Sequence, residues 1–207
     1  MKRLLYIKAS PRGQRSHSLA VADVFVETYR KRHPEAVVEV RDLFAMDLPK
    51  LDGAMLEAKY NIMHGLEHSA EQKARWRAVE AVIEDFTSFD RYVFAVPMWN
   101  FNFPYVLKHY MDVIIQPSYT FTTTAEGYHG LTEGKAFVAY ARGGEYPPDS
   151  GADAINFQAR HFEWLLRFIG LEQIFTVVVQ PTLQGPEKAK ESRLAAMDEA
   201  RSLVVRF

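Results

Sequence analysis

Five short strand-like runs recur along this chain, and a stretch with helical periodicity separates each from the next. The runs cover residues 4–7, 36–40, 91–96, 135–140 and 174–179. Helical patterns open at Ser16-His17-Ser18 and run to Tyr29, then cover 54–63, 70–86, 105–115, 152–168 and 186–205. In the third of these, Trp76, Val79, Val82, Ile83 and Phe86 fall on one stripe, the spacing of a helix with a buried face. Strands joined through helices pair in parallel, and a parallel sheet needs cover on both faces. The expected fold class is therefore α/β: a doubly wound, five-stranded parallel sheet with helices on both faces. At 207 residues this is one domain, 1–207. Residues 116–134 do not fit the alternation and read as a mixed, glycine-containing excursion.

Charge and cysteine content narrow the function classes. With 25 basic and 26 acidic residues the formal net charge is −1, so overall charge indicates neither nucleic acid nor an anionic membrane as partner. The run Arg30-Lys31-Arg32-His33 reads as complementing a helix C-terminus, with a small anion patch as the alternative. The absence of cysteine excludes disulfides, cysteine-ligated metals and a cysteine nucleophile. No apolar stretch approaches transmembrane length, and no signal-peptide core precedes the first strand. A cytoplasmic protein is expected. His64 and His68, four residues apart, lack a third ligand nearby, so no metal site is expected.

Three strand-end loops carry the chemistry, because ligands of a doubly wound sheet bind outside the carboxyl ends of its strands. The first, residues 9–18, offers the hydroxyls of Ser10, Ser16 and Ser18, Arg12 and Arg15, and a helix N-terminus. Such a set suits a phosphate monoester. It is neither a Walker A sequence nor a dinucleotide fingerprint, since Gly13 stands alone. A serine-capped helix behind a proline turn is the other reading. The second loop, Pro97-Met98-Trp99-Asn100-Phe101-Asn102-Phe103-Pro104, lies between two prolines that fix φ and remove donors. The backbone amides of Met98 to Phe103 are expected to lack internal acceptors. A flat, polar-edged ring such as a flavin would supply them, with Trp99 and Phe101 adding apolar area. Packing into the core or a subunit interface is the competing reading. The third loop, Arg142-Gly143-Gly144-Glu145, places two glycines where backbone approaches something closely. Together the three loops carry more weight than any one of them.

These segments resemble the FMN-dependent NADH:azoreductases, a branch of the flavodoxin-like quinone reductases. The likeness rests on Ala9-Ser10-Pro11-Arg12 with Ser16-His17-Ser18, on the segment from Pro97 to Pro104, on Ala141-Arg142-Gly143-Gly144, and on Leu107-Lys108, Asp112 and Phe168-Ile169-Gly170. It extends over essentially the whole chain. The resemblance implies a flavodoxin-like fold and FMN as cofactor, with NADH or NADPH as electron donor. It implies that Ser10, Ser16, His17 and Ser18 bind the phosphate, that Met98, Trp99, Asn100 and Phe101 hold the isoalloxazine, and that Arg142, Gly143 and Gly144 line it from the other side. It further implies a homodimer and a ping-pong reductase passing hydride through FMN to quinones and aromatic azo compounds. No dedicated acid–base residue is expected. The chain departs from the family at Ala141, where Ser or Thr is common, and at the stiff, acidic segment Glu145-Tyr146-Pro147-Pro148.

Substrate contacts are expected from Tyr119 and Phe121, if residues 116–134 form a lid, and from Phe162 on the following helix. A plain β-hairpin or a dimer contact is an equal reading of that excursion. An electron carrier of the flavodoxin type, without its own nicotinamide site, is the alternative function; a non-catalytic regulator of the same fold is a third.

Overall fold

The computed structural model describes residues 2–207. In chain order the strands are β1 (Arg3–Lys8), β2 (Val37–Asp42), β3 (Arg91–Pro97), β4 (Phe121–Thr124), β5 (Gly127–Gly130), β6 (Lys135–Ala141) and β7 (Gln173–Val179). The helices are α1 (His17–Arg32), α2 (Gly53–Met63), α3 (Ala70–Thr87), α4 (Tyr105–Ile114), α5 (Gly151–Ala154), α6 (Phe157–Phe168) and α7 (Pro186–Leu203). Five strands form a parallel sheet in the order β2-β1-β3-β6-β7. The chain leaves β1 toward β2 on one side and returns to β3 on the other. The loops after β1 and β3 therefore diverge, which opens the crevice where such sheets bind ligands.

Alternation along each strand builds two cores. Leu4 and Tyr6 of β1 face α1 and α7, in a cluster with Phe25, Val93, Phe137 and Val177. Leu5 and Ile7 face the opposite layer, with Trp76, Phe94, Tyr110 and Phe162. The ring of Phe25 stacks on Phe137 at 3.8 Å, both fully buried. Each such ring contributes about 2–3 kcal/mol by leaving water. Helix starts are fixed locally: the Ser16 side chain caps α1 by accepting from the Leu19 amide, and Ser69 with Gln72 forms a capping box on α3. Arg30, Lys31 and Arg32 occupy the last turn of α1, where they complement its dipole.

One segment differs from the sequence reading and a second takes one of its alternatives. The helix expected over 152–168 is two, because Asn156 (φ −80°, ψ 75°) leaves the helical region. The buried stripe Gln158, Phe162, Leu166 begins only beyond that break, and α5 buries nothing that would hold it in line. Residues 116–134 contain the antiparallel hairpin β4–β5. Its position follows from α4, which leaves the carboxyl edge of the sheet and runs back about 15 Å at 1.5 Å per residue. The hairpin thus docks at the amino edge, where Thr132 donates to the Ile169 carbonyl (2.8 Å) and Lys135 to that of Asp90 (3.2 Å).

Candidate functional site

Backbone hydrogen bonds knit the three loops together at the carboxyl edge. The amide of Ala9 donates to Ala95 (3.1 Å), that of Met98 to Ala141 (2.8 Å) and that of Arg142 to Val179 (2.9 Å). Each loop therefore leaves its strand at a fixed height beside the next.

The first loop is built around polar atoms that lack partners. Ser10 is buried and its Oγ has no hydrogen bond; the Nδ1 of His17 is likewise buried and unpaired. Ser16 and Ser18 are buried with their hydroxyls 3.2 Å apart. Unsatisfied buried polar groups are costly, so a cluster at a helix N-terminus points to an anionic ligand with several acceptor oxygens. Burial, then the nearby cations Arg193 and Arg12, hold the His17 imidazole below its ordinary pKa. Burial does the same to His161, with Lys108 adding. The unfolded chain then binds more protons than the folded one between the lowered values and the ordinary 6.5. Stability of the flavin-free protein should rise with pH through that window and be lost as pH falls through it. Denaturant titrations across the window should show the slope, and His17→Gln should reduce it.

The second loop is a tight turn. Trp99 and Asn102 exchange both backbone bonds (2.7 and 3.0 Å), and the Asn102 side chain accepts from the Phe103 amide (2.8 Å). The sequence expectation of free amides from Met98 to Phe103 is corrected: the turn and the Ala141 carbonyl satisfy four of them. Only the amides of Asn100 and Phe101 find no acceptor among the described residues. Both residues have positive φ, 47° and 67°, as a two-residue turn of type I′ requires. Asparagine tolerates this region, whereas an aromatic residue there is strained by about 1–2 kcal/mol. The strain holds the Phe101 ring in solvent, 47% exposed, next to Trp99 at 36%. Phe101→Gly should therefore stabilise the flavin-free protein by about 1 kcal/mol while weakening flavin binding; thermal unfolding and fluorescence titration check the two halves.

In the third loop a Cβ at Gly144 would make ordinary contact with the Tyr146 ring (3.8 Å), and Gly143 passes close to the flexible Leu183 side chain. The Arg142 side chain turns inward instead of lying along the crevice. Its Nε donates to Gln158 Oε1 (2.9 Å) and Nη1 to Gln180 Oε1 (3.4 Å), and its guanidinium lies 5.5 Å from the Tyr140 ring and 5.7 Å from that of Tyr146. Gln158, fully buried, donates in turn to the Val96 carbonyl (3.0 Å). Sequence reasoning missed Gln158, although a glutamine on the stripe Gln158, Phe162, Leu166 is a visible signal. Tyr146 leans toward Arg142, so the segment 145–148 begins over this network. Ala141 is buried, with its carbonyl taken by Met98.

The expected substrate residues do not join the site of their own chain. Phe162 is fully buried between Phe94 (5.1 Å) and Phe103 (5.4 Å), with no free ring face. Tyr119 lies at the amino edge, its hydroxyl donating to Glu80 (2.6 Å) and accepting from Trp76 (3.3 Å). Phe121 begins the hairpin there and packs on Phe168 at 4.7 Å. Of the readings of residues 116–134, the structure takes the β-hairpin, at the edge opposite the crevice of the same chain.

A parallel sheet of this order, with an anion loop and an aromatic turn at its switch point, defines a flavodoxin-like protein; residues 2–204 match the family model described as flavodoxin-like fold. Within that class the chain belongs to the FMN-dependent NADH:quinone oxidoreductases. It is 47% identical over 209 residues to the protein of that name from Nitratidesulfovibrio vulgaris, with 100% of both chains covered. The structure of an azoreductase from Bacillus anthracis superposes with a TM-score of 0.91 at 28% identity, covering 100% of both chains. An FMN-dependent NADH-azoreductase from the same species, solved in complex with FMN, gives 0.90 at 27% identity, covering 100% of this chain and 99% of that one.

Proposed function

We propose that this chain is an FMN-dependent oxidoreductase that takes hydride from NADH, or NADPH, and delivers two electrons to quinones and aromatic azo compounds in ping-pong order. The observation that carries the reading is the conjunction of an unsatisfied phosphate-type loop with a strained aromatic turn one strand away. Ser10, Ser16, His17 and Ser18 would hold the phosphate. Met98, Trp99, Asn100 and Phe101 would hold the isoalloxazine, the two free amides of the turn facing its acceptor atoms. Arg142, Gly143 and Gly144 would close the other side. FMN, when bound, supplies the relay between a two-electron donor and an acceptor. The protein's part is to fix the ring, present donors to developing negative charge and keep one face open to flat substrates.

The reading extends to a cytoplasmic homodimer of one domain per chain, 1–207. Exposed Tyr60, Met63 and Trp164 on α2 and α6 support an apolar interface, and no helix among the described residues is long and apolar enough to cross a membrane. Tyr119 and Phe121 would then meet substrate across that interface, while Phe162 would act through its packing on Phe103 of the aromatic turn. Initial-rate measurements with NADH and benzoquinone test the order. Parallel double-reciprocal lines are expected; intersecting lines would contradict ping-pong, and no NADH oxidation would favour the electron carrier.

A further inference from the structure

The phosphate-type loop has a neighbour that its own motif does not include. Helix α7 packs along α1. Its buried stripe runs through Ala189, Ala196 and Ala200. Position 193 lies on the same stripe, four residues after Ala189 and three before Ala196, and there the small-residue pattern is broken by Arg193. Three and four residues are the spacings that share a helix face. Ser192 fixes the height of this turn: its Oγ donates to the Gln180 carbonyl at 2.8 Å, just past the carboxyl end of β7. The first turn of α1 starts from that same edge. Arg193 is half-buried and forms no ion pair with any described residue. It is also one of the two cations that add to burial in lowering the His17 pKa.

A half-buried guanidinium without a counter-ion, beside a helix N-terminus that is itself positive, is an unfavourable arrangement until an anion arrives. The second observation is independent: Ser10 is buried at the same loop with an unpartnered hydroxyl. We propose that Arg193 forms the α7 wall of the phosphate pocket and, with Arg12, makes cofactor choice depend on the terminal phosphate, selecting FMN over riboflavin. This rests on the reading of the loop as an FMN phosphate site. Arginine suits the task because its planar fork can engage two phosphate oxygens at once.

The test uses the full chain, stripped of flavin and titrated with FMN and with riboflavin while flavin fluorescence is followed. Arg193→Gln should weaken FMN binding about tenfold, the scale of one charge-assisted hydrogen bond, and leave riboflavin affinity unchanged. The FMN-to-riboflavin preference should fall by the same factor. Arg193→Lys should recover part of it by restoring charge without the fork. Tight FMN binding with an unchanged preference in Arg193→Gln would overturn the proposal alone, as would equal weakening of both flavins, which marks a packing role. A parent protein that binds neither flavin would overturn the FMN reading and this proposal together.

Discussion

Gly130→Ala is expected to cost about 3–4 kcal/mol, enough to remove much of the stability of an ordinary domain. A Cβ at residue 130 would lie 2.2 Å from the Gly170 amide nitrogen and 2.3 Å from the Ile169 carbonyl carbon. Both are backbone atoms, so no side chain can swing aside. Gly170 cannot yield either: its φ is +108°, and its own Cβ would meet the Thr132 carbonyl at 2.4 Å. The Thr132 amide is bonded to Ile169 across the same contact. Two glycines thus let the hairpin dock on the end of α6 at backbone distance. Denaturant unfolding checks the cost, and a loss below 1 kcal/mol would mean that the contact is looser than described. Because the hairpin lies at the amino edge, the folded fraction should keep its affinity for FMN.

Gln158→Leu is expected to act on both stability and the site. The substitution keeps volume but strands the buried Arg142 Nε and removes a second donor from the Val96 carbonyl, which keeps its place in the β3–β6 ladder. Losing the partner of a buried charge should cost about 3 kcal/mol. The same side chain joins the strand end before Pro97 to the start of the glycine loop, so two walls of the crevice lose their common tie. FMN affinity should fall with stability, in contrast to Gly130→Ala. Gln158→Glu should retain the fold, since a carboxylate still accepts from Arg142, although it can no longer donate to Val96. Unchanged flavin affinity in Gln158→Leu would show that the loops hold their positions independently.

The fold was largely legible because its signals are local. Each sheet strand is a short apolar run, and Ser16 marks a helix start that the structure keeps. The loop residues were legible because Pro97 and Pro104 bracket an aromatic segment too polar for a strand. What could not be read depends on docking. Phe162 looks the same on paper whether it faces ligand or core, and only the α6 packing shows that Phe94 and Phe103 enclose it. Tyr119 follows α4, and the direction of that helix decides which edge of the sheet it reaches. The inward turn of Arg142 needs Gln158 and Gln180, which come from an α6 and a β7 end that sequence does not bring together. Arg193 meets the first loop only because α7 lies on α1.

The central claim is that the crevice holds FMN and exposes it to a nicotinamide. It is tested most directly by the visible spectrum of the purified protein under anaerobic conditions, before and after NADH and again after benzoquinone. A yellow protein that bleaches with NADH and regains its colour with the quinone is the expected result. Bound flavin that NADH leaves unbleached, or a colourless protein that does not take up added FMN, would contradict it.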